Sequence, residues 1–130
     1  MGNHIYYGRY LDLLEAARGE FFRHLGQPFL RWQENDTIFP VIECSLRYKG
    51  AARYDDLLNI DTWLTQISRV RLAFAYRILN AAGGPLVEAS TLHACTTLQE
   101  KPKRLPLELS AALAPYLHPQ VIVEPVGPRS

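Results

Sequence analysis

Tyr10-Leu11-Asp12-Leu13-Leu14-Glu15-Ala16-Ala17-Arg18-Gly19-Glu20-Phe21-Phe22-Arg23-His24-Leu25 is the stretch on which the fold turns. Tyr10, Leu13, Leu14, Ala17, Phe21 and Leu25 fall at helical spacing, and Leu11 and Phe22 widen the stripe. Arg9, Asp12, Glu20 and Arg23 lie off it. Gly26 followed by Pro28 reads as a helix stop. A helix this apolar for its length is expected to lie against a broad surface. Immediately upstream, Met1 to Tyr10 forms a polar, aromatic-rich turn that feeds straight into it. The first N–H groups of a helix have no partner inside it and carry a partial positive charge. They can hold a phosphate or a developing oxyanion.

Downstream the period changes. Ile38, Pro40, Ile42, Cys44, Leu46 and Tyr48 alternate with Phe39, Val41, Glu43, Ser45, Arg47 and Lys49, which predicts a strand with two unlike faces. Residues 50–56 read as a connecting loop. Leu58, Ile60, Thr62 and Leu64 begin a second alternation. Val70, Leu72, Phe74, Tyr76 and Ile78 make a third, with Arg69, Arg71 and Arg77 on the other parity. Asn80 to Gly84 is a turn by composition, and Leu86 to Leu98 is a fourth alternating segment. Four consecutive strands with short connections favour an antiparallel meander. Lys101 to Pro106 ends the sheet, and Leu107 to Leu117 reads as a short helix after Pro106. The expected architecture is α+β, helix on sheet, as one domain over residues 1–118 with a tail at 119–130. That tail is either a loose extension or a short edge strand. Phe39, Val41, Trp63 and Val87 are expected on the sheet face away from the helix, where a dimer or higher oligomer would cover them.

Composition limits the function classes. The chain has 130 residues, 48% of them hydrophobic and 21% charged, enough for a core without staples. A net charge of +1 gives no field that would recruit nucleic acid or an anionic membrane. No segment approaches the ~20 apolar residues of a membrane span, and no secretory signal is evident, so a soluble cytoplasmic protein is expected. Cys44 and Cys95 lie in alternating runs and are expected to be buried free thiols. Neither has the electropositive, exposed setting of a reactive thiolate.

Several motifs in order now carry a resemblance. His4-Ile5-Tyr6-Tyr7-Gly8-Arg9-Tyr10 resembles the helix-entry motif of hotdog-fold acyl-CoA thioesterases of the 4-hydroxybenzoyl-CoA thioesterase and YbgC-like family. Leu14-Glu15-Ala16-Ala17-Arg18 resembles the Glu-x-x-Arg pattern of that family's central helix. Phe39-Pro40-Val41-Ile42-Glu43, followed by Tyr54-Asp55-Asp56, resembles its second strand and the loop beyond. Thr91-Leu92-His93-Ala94-Cys95 resembles its last strand, and Arg104-Leu105-Pro106 its C-terminal Arg-x-Pro segment.

The resemblance implies a long central helix wrapped by an antiparallel sheet. It also implies protomers paired through their sheets as a homodimer or homotetramer, with sites at the interface. The implied reaction is hydrolysis of an acyl-CoA thioester to the free acid and CoA, without metal or separate cofactor. A carboxylate attacks the thioester carbonyl or activates water, and a helix-entrance N–H polarises that carbonyl. Aligned on Tyr10, the oxyanion candidates are the Tyr7 and Gly8 amides. Counted back from Tyr7, the family Asp falls immediately before Met1, and the family Gly falls on Asn3, or on Gly2 with a one-residue insertion. The expectation is therefore a chain that begins inside the motif, from a misplaced start or a trimmed piece, with the first strand missing. If the short form is genuine, activity is impaired or another group serves; the alternative function is a non-catalytic acyl-CoA binding module.

Tyr6 and Tyr7 read on their own as packing aromatics; the resemblance gives Tyr7 a site role. His4 could stand in as a base. Glu15 stands three residues before Arg18, a spacing that allows an ion pair along the helix or a catalytic carboxylate. Glu43 is a further strand carboxylate, and His93 reads as a satisfied core or interface histidine. Ser68, Arg69, Arg71, Lys101, Lys103 and Arg104 lie near strand ends. They suit the pyrophosphate and ribose phosphate of CoA, or form an ordinary solvated face.

Overall fold

The computed structural model describes residues 7–50 and 57–119, with Tyr7 described by its backbone. His4 and the tail from residue 120 onward lie outside the described residues. Helix α1 spans Tyr7–His24 and buries Tyr10, Leu14 and Phe22. It ends at Gly26, whose φ of 74° is the left-handed conformation that glycine adopts without a Cβ penalty. A second, short helix, α2 (Phe29–Glu34), follows; the sequence reading had only a stop here.

Four strands form one sheet: β1 (Val41–Tyr48), β2 (Leu58–Ile67), β3 (Arg71–Asn80) and β4 (Pro85–Ala94). Their order is β1-β4-β3-β2, with every neighbouring pair antiparallel. This corrects the expected four-strand meander. Only β2-β3-β4 are joined in that way. The link from β1 to β2 is too long for a hairpin, and β1 instead runs along β4. The Lys49 and Gly50 amides extend that pairing by donating to the Leu86 carbonyl.

The register fixes the two faces. Leu72, Phe74, Tyr76 and Ile78 of β3 pair with His93, Thr91, Ala89 and Val87 of β4, and all eight are buried. Val87 therefore lies on the core face, which corrects its expected place on the opposite one. Phe39 also belongs to the core, packed on Phe22 and Phe29 at ring separations of 5.6 and 6.3 Å. Val41 pairs with His93, so it too belongs to the core-side register, although it is exposed at the edge. Trp63 does sit on the outer face, with the Arg77 guanidinium 5.3 Å from its ring. Ser45, Ala73, Ala75, Ser90 and Leu92 share that face.

Helix α3 (Leu107–Leu113) starts after Pro106 as expected, but a 3-10 turn, Ala114–Tyr116, replaces its last part. Pro115 has no N–H for a continued helix. Leu117 bridges in parallel to Leu64, and the His118 amide donates to the Leu64 carbonyl. Cys95 is buried as expected, whereas Cys44 is exposed. Its strand is at the sheet edge, where even a core-side position meets solvent. Among the described residues no helix is long and apolar enough to cross a membrane.

Candidate active site

The entrance of α1 is built to present its amides. Its first turn holds no acidic side chain, and Gly8 has open space where a Cβ would stand. Tyr10 anchors the entrance: it is buried and meets Tyr48 edge-on, with ring centroids 5.6 Å apart. The entrance therefore lies over the last residue of β1. The first-turn N–H groups, including that of Gly8, have no acceptor within the helix.

Beyond this entrance, from Leu11 onward, a cavity of about 220 Å³ lies between α1 and β1. Leu11, Glu15 and Arg18 wall it on the helix side, and Val41, Cys44 and Thr91 on the sheet side. Asp12 stands at its exposed rim. The ion pair allowed between Glu15 and Arg18 is absent: no described carboxylate forms one with Arg18. Glu15 stays exposed, whereas Arg18 turns under the helix and is only 8% exposed. Its Nη1 donates to the Tyr76 hydroxyl at 3.1 Å. Drawing Glu15 into the same layer would desolvate a carboxylate, which is costly.

Arg18 begins a chain of four hydrogen bonds. The Tyr76 and Thr91 hydroxyl oxygens are 2.6 Å apart, Thr91 Oγ1 and His93 Nε2 are 2.8 Å apart, and His93 Nδ1 lies 3.0 Å from the Phe39 carbonyl oxygen. The two ends set its direction. A guanidinium only donates and a carbonyl only accepts. Hence Nδ1–H donates to Phe39, Nε2 accepts from Thr91, Thr91 accepts from Tyr76, and Tyr76 accepts from Arg18. This arrangement requires neutral His93. Burial pushes its pKa down to about 4, with the Arg18 charge acting the same way and the Phe39 carbonyl opposing it. Burial likewise raises the Tyr76 hydroxyl, against the pull of Arg18. At Cys44, burial raises the thiol and Arg18 lowers it, with burial the larger effect, so this residue is a thiol rather than a nucleophilic thiolate.

The six basic-end residues gather at the other end of the sheet. The Leu105 amide donates to the Arg69 carbonyl, and the Cys95 amide to that of Val70, which lays the 101–105 segment against the β2–β3 turn. Arg69, Arg71, Lys101 and Arg104 are exposed there. Ser68 and Lys103 do other work. Ser68 Oγ accepts from the Arg71 amide within the turn. Lys103 Nζ donates to the Asn35 and Asp36 carbonyls and to Thr37 Oγ1, closing the end of α2, so it is not free for a phosphate. Within one protomer the helix entrance lies beside Tyr48, and the basic end beside Ala94. One protomer does not bring them together. Tyr76 and Thr91, which join Arg18 to His93, were missed as site residues; their shared strand parity was the only available signal.

Comparison with known proteins shows the family and the fold. A family profile described as the thioesterase superfamily matches residues 2–87. The acyl-CoA thioester hydrolase YbgC of Escherichia coli O6:H1 is 33% identical over 111 residues, covering 85% of this chain and 83% of the relative. A crystal structure of a hypothetical protein from Thermus thermophilus superposes with a TM-score of 0.83 at 31% identity, covering 88% of this chain and 87% of that one. The DHNA-CoA thioesterase of Staphylococcus aureus superposes with a TM-score of 0.82 at 26% identity, covering 87% of this chain and 78% of that one.

Proposed function

The chain belongs to the thioesterase superfamily, has its hotdog fold and is an acyl-CoA thioester hydrolase, and from that premise we propose how its residues carry out the hydrolysis. The observation that carries the reading is the open helix entrance at Gly8, about one helical turn ahead of the groove that Leu11 and Glu15 line. The Tyr7 and Gly8 amides hold the thioester oxygen, and their stabilisation grows as that oxygen gains negative charge in the tetrahedral intermediate. Glu15 is the groove carboxylate assigned to activate water. Water adds to the carbonyl carbon and its proton passes to Glu15. The C–S bond then breaks, and CoA leaves as thiolate and is protonated. Glu15 is seven positions after Gly8, about 10 Å of helix axis, and helical side chains lean back toward the N-terminus, which shortens that distance.

The basic end completes the site through a second copy. β1 is an edge strand of the described sheet, and Val41 and Ile42 on it are each 45% exposed. Two β1 strands paired antiparallel about a two-fold axis bring each protomer's basic end beside the other's helix entrance. Arg69, Arg71, Lys101 and Arg104 would there meet the CoA phosphates. The two unpaired cysteines suit a reducing, cytoplasmic setting.

The test is release of CoA thiol from aryl and aliphatic acyl-CoA esters. Glu15→Gln is expected to lower kcat by about a hundredfold to ten-thousandfold. Retention of the full rate would remove the water-activating role from Glu15.

A further inference from the structure

Arg18 is a buried cation without a buried counter-charge among the described residues. Taking a guanidinium out of water is costly unless an anion faces it. Of its five N–H donors, one is engaged by Tyr76, which a neutral amide could satisfy equally well. The positive charge therefore exceeds what the fold needs. Arg18 also lines two cavities: the groove that begins at Leu11, and a second of about 260 Å³ bounded by Phe29, Ile38, Phe39 and Pro40. Glu15 lines both cavities with Arg18, but it is exposed whereas Arg18 is buried, and Leu14, Val41, Phe29, Ile38 and Phe39 supply the apolar walls. A buried cation within such walls fits an anion carried at the end of an apolar chain.

We propose that Arg18 holds a carboxylate at the far end of the acyl group, making CoA monothioesters of dicarboxylic acids the preferred substrates. This rests on the hydrolase reading, because the thioester at the Gly8 amide sets the direction in which the acyl chain runs. Gly8 and Arg18 are ten positions apart, about 15 Å of helix axis, and the arginine leans back toward the entrance. The planar guanidinium suits a carboxylate with two parallel hydrogen bonds. Asp12, nearer the entrance on the groove wall, repels an anion there, whereas Arg18 is the groove's only cationic lining residue among the described residues.

The experiment compares kcat/KM for adipyl-CoA against hexanoyl-CoA, and for suberyl-CoA against octanoyl-CoA, in the wild-type chain, Arg18→Gln and Arg18→Lys. The wild type is expected to favour the dicarboxylic member of at least one pair by about tenfold or more. Arg18→Gln is expected to abolish that preference by lowering kcat/KM for the dicarboxylic esters about tenfold more than for the plain acyl esters, and Arg18→Lys to keep part of it. Equal rates within both pairs in the wild type would overturn the proposal. So would equal losses on both members in Arg18→Gln, the mark of a merely structural residue; Arg18→Lys preserves the charge if Arg18→Gln folds poorly. If no ester is hydrolysed, the hydrolase reading has failed separately. Calorimetric titration with free adipate and suberate then decides: saturable binding lost in Arg18→Gln supports the carboxylate site, and no binding to the wild type overturns it.

Discussion

His93 shows how one proton can hold several residues in place. Its Nε2 must accept from Thr91, so protonation reverses a donor inside a buried chain that begins at Arg18. The folded pKa of about 4 lies below the ordinary 6.5. Between these values the unfolded chain binds more protons than the folded one, so stability rises with pH. The contribution is fully present above pH 6.5, and is lost as the pH falls toward 4. The loss is expected to approach about 3 kcal/mol. Urea unfolding across that window should show it, and His93→Gln should flatten the slope. At this scale the sequence exposed some things and hid others. Glu15 and Arg18 stand in one helical stretch that was legible from Tyr10 onward, whereas Gly8, read as part of the turn ahead of it, lies in the helix's first turn. Tyr76 is 58 positions from Arg18, and no local pattern reports a bond across that separation. The contacts of Lys103 were hidden because a cation near a strand end looks the same whether phosphate or helix carbonyls await it.

Elements were legible where periodicity ran long. α1 and all four strands were foreseen, with ends shifted by a few residues. α2 was not, because six residues make fewer than two helical turns and stand just behind a Gly-x-Pro stop. Its end is secured from outside: Lys103 Nζ lies 3.1, 3.0 and 2.8 Å from the Asn35 and Asp36 carbonyls and Thr37 Oγ1. Arg31 at its centre reaches Glu108 of α3 at 2.6 Å. Lys103→Met should leave those carbonyls without their donor and lower stability by about 1–3 kcal/mol, read as a shift of the urea midpoint. CoA release should persist, since Lys103 faces α2 rather than substrate. Strand order escaped the sequence for a different reason. Alternation tells which side a residue faces but not which strand lies beside it, and β1 passes over its successor to pair with β4.

Whole-molecule organisation follows from that strand order. Placing β1 at an edge leaves Val41 and Ile42 in solvent and separates the helix entrance from the basic end within one protomer. An exposed apolar edge strand invites pairing with another chain. Val41→Lys with Ile42→Lys should convert a dimer to a monomer by light scattering, and lower CoA release with it. A doubly substituted chain that remains dimeric and active would place the contact elsewhere. The residues legible at this scale were the apolar ones: Trp63 was placed on the right face, whereas the faces of Val41 and Val87 needed the register.

Cys44 gives the proposed assembly a built-in reporter. Its thiol is exposed on the groove wall of one chain, on the strand proposed to be covered in a dimer. Reagents that quantify liberated CoA by its sulfur also titrate the protein's own sulfur. Each subunit can therefore add a slow blank of one equivalent, and a bulky adduct at Cys44 would plug the cavity while the assay is being read. Diluting the protein should speed this labelling if dissociation uncovers the strand, so the labelling rate against concentration becomes an association isotherm. Cys44→Ser removes both the blank and the self-inhibition, and gives the cleaner chain for kinetics.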